Sequence, residues 1–353
     1  MNSSLVKSRL SRHGFTLVEL MVAMALVSIL AVMVTVALNS AQQDARLART
    51  RSLVQRIDEI LQYKMEEYKT RKLPVQLPLS SSTVEMTLLP VEVSRVRMMM
   101  MRDLMRMEMP DRRSDLIDAS LSTPVRIGPT NIRAIVERTN SAGASLGAVA
   151  TSVAWTTPSR YENYIKRLPA NLADWSASYE SSECLYLILS TTTLNGVSAL
   201  DLISPANVTD LDEDNMPEIV DPFGNPISWV RWPAGAASSV VTQAGEDEFD
   251  LLNSDWGFRT AGDVSPSFSL RPLVVSAGLD GELGLVTTEY PTTPYGQMMW
   301  PDSTTDGRPR ATSGGSYPYV DPFNRQAASE PLPGAVIPGQ LDFIADNVVS
   351  YDL

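Results

Sequence analysis

The most pronounced hydrophobic pattern in the chain is an uninterrupted apolar run at residues 15–38. Its 24 residues carry a single charge, that of Glu19. A helix of this length extends about 36 Å, which is enough to cross the roughly 30 Å hydrocarbon core of a bilayer. The run therefore predicts a transmembrane helix.

Residues 39–72 show a different pattern, with apolar positions confined to one face of a helix. The apolar positions recur at spacings of seven, three and four residues and are Leu47, Val54, Ile57, Leu61, Met65 and Tyr68. No proline or glycine interrupts residues 15–72. The two patterns together predict one helix of about 85 Å whose second half packs on a soluble domain. The stripe alone is also typical of a coiled coil.

After a proline-rich linker, residues 95–109 contain seven methionines in fifteen positions. Methionine is a strong helix former and an adaptable packing residue, so the tract predicts a helix that covers an apolar surface. Soft thioethers also bind Cu(I), which is the alternative interpretation.

The middle of the chain gives weaker signals. Residues 119–158 are rich in Ser, Thr, Gly and Ala and predict a loop. Helices are predicted at residues 161–168 and 182–191, although the composition of the second would also fit a strand. Ser181 and Ser182 are expected to cap this second helix.

A family resemblance rests on the residues around the start of the apolar run. Three basic residues and no acidic ones precede Gly14, which the positive-inside rule reads as a cytoplasmic N-terminus. This leader, Gly14 and Phe15-Thr-Leu-Val-Glu19 resemble the class III leader of type IV pilins and type II secretion pseudopilins. The resemblance implies that a prepilin peptidase cleaves after Gly14 and methylates Phe15. It also implies that Glu19 pairs with the terminal amine of a neighbouring subunit. An ordinary signal anchor is the alternative.

Cleavage at this position changes the composition of the chain. The remaining residues carry 26 basic against 41 acidic side chains, a balance that argues against nucleic acid as a partner. The only histidine, His13, leaves with the leader, so histidine-based catalysis and zinc ligation are not expected. The single cysteine, Cys184, lies in an apolar context that predicts a buried, inert thiol.

An acidic segment at residues 210–221 is the main candidate for metal chemistry. Acidic residues at positions 1, 3, 5, 9 and 12 of this window are Asp210, Asp212, Asp214, Glu218 and Asp221. This spacing is typical of EF-hand-type calcium loops. The window departs from the motif at Asn215, which replaces the turn glycine but tolerates positive φ, and at Asp221, which replaces a bidentate Glu. A solvated acidic turn is the alternative.

Three later segments resemble the major pseudopilin of type II secretion. They are the Asp-Pro-Phe-Gly-Asn-Pro turn at residues 221–226 before a predicted strand, a strand and Ser-x-Gly-x-Asp-Gly loop at 272–281, and the terminal strand at 345–351. In that family a loop between the last two segments holds calcium, which makes Ser276, Asp280 and Asp346 candidate ligands or supporters. Here some 60 residues separate Asp280 from Asp346, which departs from the family pattern.

These observations predict an α+β fold. The expected organisation is a leader (1–14), a transmembrane helix (15–38), its periplasmic continuation (39–72), an inserted helical and loop region (73–205) and a β-rich head (206–353). The resemblance implies a pilin-like subunit of a type II secretion or type IV pilus-type filament, which acts by assembly rather than by catalysis. It is expected in the inner membrane, with a cytoplasmic N-terminus and a periplasmic head. Its expected partners are the prepilin peptidase, other pilin-like subunits, an inner-membrane assembly platform and the bilayer. A surface pilus and a membrane-tethered enzyme or binding domain that does not polymerise are the alternatives.

Overall fold

The computed structural model describes residues 16–73, 90–117, 124, 131–139, 145–154, 157–236, 247–250, 270–287 and 331–353. The helices of this part are α1 (Leu17–Lys69), α2 (Pro90–Glu108), α3 (Ser159–Ile165) and α4 (Glu180–Thr191). Its strands are β1 (Asn131–Thr139), β2 (Ser145–Ala154), β3 (Thr193–Leu194), β4 (Val197–Ser198), β5 (Val208–Thr209), β6 (Glu218–Ile219), β7 (Ile227–Val230), β8 (Leu273–Ser276) and β9 (Val348–Val349). A long helix followed by further helices and small sheets is the predicted α+β class.

Every strand pairing in the described part of the chain is antiparallel. Strands β1 and β2, β3 and β4, and β5 and β6 form two-stranded sheets, and β8 lies between β7 and β9 in a three-stranded sheet. Ser276 at the end of β8 is opposite Ile227 on one side and Val348 on the other. This register brings together the loops of three segments that are far apart in sequence.

The chain divides into two units, residues 1–48 and residues 49–353. In the first unit, residues 16–46 of the described part are all exposed, with Leu17 at 75% and Leu38 at 55% of full exposure. Helix α1 contains a window apolar enough to cross a membrane. Apolar surface left in water forgoes about 25 cal/mol per Å², so this surface requires lipid or other protein as its environment.

In the second unit, α1 buries the predicted apolar face. Val54, Ile57, Leu61, Met65 and Tyr68 are all at most 5% exposed, which confirms the stripe beyond Leu47. Lys64, which the pattern did not single out, is also fully buried and donates a hydrogen bond from Nζ to Thr192 Oγ1 at 3.1 Å. Burial lowers the pKa of Lys64 to about 7.

Helix α4 confirms the helical alternative for residues 182–191 and packs on β6 and β7. The prediction that Ser181 and Ser182 cap this helix is wrong, because the N-cap residue is Tyr179, whose side chain makes no capping hydrogen bond. The serine hydroxyls instead bridge to the strands. Ser181 Oγ donates to Trp229 O (2.7 Å) and accepts from Trp229 N (2.8 Å), and Ser182 Oγ does the same with Ile219 at 2.9 and 3.0 Å. Cys184 is buried, as predicted, and burial raises its pKa.

Helix α2 confirms the methionine-rich tract as a helix with a packing role. Met98, Met101 and Met105 are buried and line a cavity of about 30 Å³ together with Met65 of α1. A cavity of this volume holds at most about two water molecules. The described methionines of α2 thus have the packing role that the sequence predicted, and the copper alternative is not tested.

Arg106 of α2 belongs to a network of buried charges in which arginine and aspartate side chains pair with one another. Arg231 Nη1 lies 2.9 Å from Asp115 Oδ2, Arg231 Nη2 lies 3.1 Å from Asp111 Oδ1, and Arg106 Nε lies 2.9 Å from Asp115 Oδ1. Burial acts to raise the pKa of Asp115, but Arg231, Arg106 and Arg112 outweigh it and hold that pKa well below its usual range. Each carboxylate here has arginine partners within the same chain.

The loop prediction for residues 119–158 is wrong over two segments, because β1 and β2 form an antiparallel pair from Asn131 opposite Ala154 to Thr139 opposite Ser145. Gly, Ala, Ser and Thr in this region obscured the alternation on which strand recognition depends. A long hairpin is held by backbone hydrogen bonds, which any of these residues can make.

Candidate functional site

The N-terminal end of α1 is closed by a reciprocal capping arrangement. Thr16 N and Thr16 Oγ1 both donate to Glu19 Oε2 at 2.9 Å, and Glu19 N donates to Thr16 Oγ1 at 3.2 Å. This is the capping box, in which a Thr at the N-cap and a Glu three residues later satisfy the first amides of a helix. Glu19 therefore has hydrogen-bond partners within its own chain.

The predicted cleavage site, Gly14 and Phe15, lies outside the described residues. Because Thr16 is the residue after Phe15, cleavage after Gly14 would leave the new amine one residue from the capping box. A cation from a neighbour can approach the same carboxylate, since a carboxylate accepts about four hydrogen bonds. The arrangement thus combines a helix cap with a negative charge at the end of an apolar helix.

The acidic loop between β5 and β6 is the second candidate site. Carboxylate oxygens of Asp210, Asp212 and Asp214 lie within 4.8 Å of one another. Asn215 has a φ of +72°, which confirms that asparagine takes the left-handed conformation at the position where glycine was expected. The loop thus turns three alternate acidic side chains towards one another.

A second acidic group joins this loop to α4. One carboxylate oxygen each from Glu183, Asp212 and Glu218 lies within 4.8 Å of the other two. Glu183 comes from α4 and Glu218 from β6, and the bond between Ser182 and Ile219, their direct neighbours in sequence, fixes these elements side by side. Sequence analysis did not include Glu183 among the candidate metal ligands.

The oxygens of this second group are only partly satisfied. Glu183 Oε2 accepts from Trp175 Nε1 at 2.5 Å and Glu218 Oε2 accepts from Leu211 N at 2.7 Å. The other oxygen of each glutamate and both oxygens of Asp212 are buried without a hydrogen-bond partner among the described residues. Glu183 and Glu218 are both fully buried. Buried polar atoms without a hydrogen-bond partner are rare in native proteins.

Electrostatics in this group oppose ionisation. Burial, and then the neighbouring Asp214 and Glu218, raise the pKa of Glu183 to about 9. Burial, and then Asp212 and Asp210, raise the pKa of Glu218 to about 7. Two carboxylates 4–5 Å apart repel by roughly 3–4 kcal/mol at an effective dielectric constant near 20. The helix dipole at the first turn of α4 offers about 0.3–1 kcal/mol and does not offset this repulsion.

Asp221, the last acidic residue of the predicted calcium loop, lies in neither acidic group among the described residues. Asp221 Oδ1 accepts from Phe223 N (2.8 Å) and Asn225 N (2.9 Å), and Oδ2 accepts from Ser276 Oγ (2.6 Å). It therefore holds the turn at residues 221–226 and ties that turn to β8. Gly224 in this turn has a φ of +99°, which confirms the predicted tight turn.

The three segments that resemble a pseudopilin head meet around this turn. Asn225 Nδ2 donates to Gly278 O at 2.7 Å, and Asp346 Oδ2 accepts from Leu279 N at 2.7 Å and from Asp280 N at 3.0 Å. A Cβ at Gly278 would lie 2.3 Å from Asp346 O, so only glycine permits this approach.

Hydrogen bonds within the chain therefore already engage Asp221, Ser276 and Asp346. No group of three close acidic oxygens occurs in this loop in the part of the chain that the structure covers. Calcium ligation by Asp221, Ser276, Asp280 and Asp346 stays a prediction.

The comparisons with known proteins bear on the N-terminal site. The family described as the prokaryotic N-terminal methylation motif matches residues 9–35. Neither the curated proteins nor the solved structures include a match to the chain.

The matched segment covers residues 9–14 of the leader, including Gly14, together with Phe15, Glu19 and most of the apolar run. It supports a type IV pilin-like, single-pass inner-membrane protein that is a substrate of a prepilin peptidase. It is a motif of structural subunits rather than of enzymes.

Proposed function

We propose that the chain is a pseudopilin-like subunit that polymerises through the first half of α1 into a type II secretion filament. The observation that carries this proposal is the exposed apolar surface of residues 17–38, which lies within a helix that the N-terminal methylation motif overlaps. In a filament this surface packs against the same helix of other subunits, and before assembly it lies in the bilayer. The basic leader places the N-terminus in the cytoplasm and the acidic head on the opposite side.

Glu19 supplies the specific contact in this assembly. A carboxylate at the lipid end of a helix is stabilised by a cation, and the amine of a processed neighbour is a cation at the matching depth. Thr16 keeps Glu19 satisfied until that neighbour arrives. Subunits that dock onto an inner-membrane assembly platform are then added to the filament one at a time.

The head supports a secretion pseudopilin over a surface pilin. The turn at residues 221–226, the loop after β8 and the segment around Asp346 are joined by hydrogen bonds, as one would expect if the three resemblances to the major pseudopilin reflect one structural unit.

The test separates the charge of Glu19 from its capping role. Gln also completes a capping box, so Glu19→Gln removes the charge and keeps the cap, whereas Thr16→Val keeps the charge and removes the capping hydroxyl. Cys184 is buried, so Ala25→Cys in the exposed half of α1 provides the one readily accessible thiol in the described part of the chain. Thiol crosslinking in cells then reports contacts between subunits as a ladder of oligomers.

We expect the ladder to persist in Thr16→Val and to fall at least tenfold in Glu19→Gln, with processing of the leader unchanged in both. A full ladder in Glu19→Gln would contradict the role of the charge. No ladder in the parent Ala25→Cys chain would contradict polymerisation itself and favour a tethered monomer.

A further inference from the structure

We propose that Glu183, Asp212 and Glu218 form a Ca²⁺ site that fastens helix α4 to strand β6. The predicted acidic loop contained Asp212 and Glu218, and the structure adds Glu183 from a different element and leaves Asp221 out. The site lies entirely within residues 183–218, so it goes beyond the proposed filament function and does not depend on it.

The geometry of unpartnered oxygens carries this inference. Glu183 and Glu218 each use one oxygen in a hydrogen bond and keep the other buried without a partner among the described residues, and one oxygen of each lies within 4.8 Å of an oxygen of Asp212. The Trp175 indole and the Leu211 amide hold the occupied oxygens, so the two glutamates are already oriented before a cation binds. Side chains held in this way are typical of a preorganised binding site rather than of a solvent-exposed acidic surface.

The network around Asp115 differs from the Glu183 group because its buried carboxylates have arginine counter-charges. Asp111 and Asp115 are buried and each contacts Arg231. No ion pair among the described residues includes Glu183, Asp212 or Glu218. The same chain thus provides arginine for one set of buried carboxylates and leaves the other without a counter-charge, which an external cation can supply.

The donor set and its spacing favour calcium. All three donors are carboxylate oxygens, which hard cations prefer. Oxygens on opposite sides of one Ca²⁺ ion lie at most about 5 Å apart, whereas around Mg²⁺ the limit is about 4 Å. The three oxygens lie within 4.8 Å of one another, which is compatible with one Ca²⁺ ion, whereas Mg²⁺ is seldom held by protein ligands alone because it keeps several waters. Asp210 and Asp214 lie close to Asp212 and add negative charge around the ion.

The experiment uses the full-length chain in detergent, with Tb³⁺ as a luminescent probe and Ca²⁺ and Mg²⁺ as competitors. Trp175 donates a hydrogen bond to Glu183, so its excitation is expected to sensitise a Tb³⁺ ion at this site. We expect saturable luminescence that Ca²⁺ displaces at least tenfold more effectively than Mg²⁺. Trp175→Phe should lower the luminescence several-fold. An unchanged signal in Trp175→Phe would place the ion elsewhere.

Calcium affinity of matched variants tests the ligands, by calorimetry and by the calcium-dependent shift of melting temperature. Glu183→Gln and Asp212→Asn should each weaken Ca²⁺ binding at least tenfold. Asp201→Asn, which changes an exposed carboxylate of the same region, should leave it within twofold. Asp346→Asn separates this site from the loop after β8 and should also bind normally.

Melting in chelator distinguishes cation binding from a glutamate that is merely protonated. Without calcium, Glu183→Gln should melt at or above the wild-type temperature because glutamine avoids the cost of burying an acid group without a counter-ion, and with calcium it should melt below wild type. Equal melting of the two chains with and without calcium would overturn the proposal, as would wild-type affinity in both Glu183→Gln and Asp212→Asn. Equal competition by Mg²⁺ would overturn the assignment to calcium.

Discussion

The two halves of α1 are one helix with opposite environments. Residues 16–46 are exposed throughout, including large apolar side chains such as Leu17 and Leu38. From Thr50 to Tyr68 the same helix buries one face in the core of the second unit, including the charged Lys64. The comparison shows that the second unit supplies the environment of the second half, whereas the exposed apolar surface of the first half requires lipid or other protein as its environment.

The largest expected effect comes from making the same substitution in both halves. Ile57→Ala deletes a fully buried side chain and should lower the free energy of unfolding of the head by about 2–5 kcal/mol. Ile29→Ala, at an exposed position of the first half, should change it by less than about 0.5 kcal/mol. Denaturant unfolding followed by tryptophan fluorescence measures both. An equal loss of unfolding free energy in the two variants would contradict the conclusion that only the second half of α1 packs in the core of the head.

A smaller and pH-dependent effect is expected at Lys64. Burial lowers the pKa of Lys64 to about 7, whereas in the unfolded chain it is about 10.4. The unfolded state therefore binds more protons between these two values, so this group makes wild-type stability rise with pH across that window. Lys64→Met removes the buried charge and should stabilise the head by about 1–3 kcal/mol at pH 6.

The advantage of Lys64→Met should shrink as the pH is raised to about 10, because the wild-type lysine then becomes neutral in the folded state. Comparing variant and wild type at each pH cancels the titration of all other groups. A difference that stays the same at both pH values would show that Lys64 is not held with a lowered pKa.

The elements of α1 and of the head were predictable where local pattern and local chemistry agree. Spacing alone predicts the buried stripe of α1 from Val54 to Tyr68, and the Pro-Phe-Gly-Asn-Pro turn predicts the start of β7. The structure confirms both. A turn or a helical stripe is encoded within a few residues, so no knowledge of distant contacts is required.

What could not be predicted depends on contacts between distant residues. Lys64 occupies a buried position because Thr192, far along the chain, accepts its hydrogen bond. Glu183 belongs to the largely apolar helix α4, and its proximity to Glu218 depends on how α4 packs against strand β6. Glu183 is the only charged residue of the predicted helix at residues 182–191, and this is the signal that could have identified it. The hairpin of β1 and β2 was missed because backbone pairing, not side-chain alternation, defines it.

The central claim is that the chain is processed as a pilin-like subunit and held by the first half of α1. The most direct test is mass spectrometry of the full chain recovered from membranes of cells that express a prepilin peptidase. The account predicts loss of residues 1–14 and an N-terminal Phe15 that carries one added methyl group. An intact leader, or cleavage at any other bond, would contradict it.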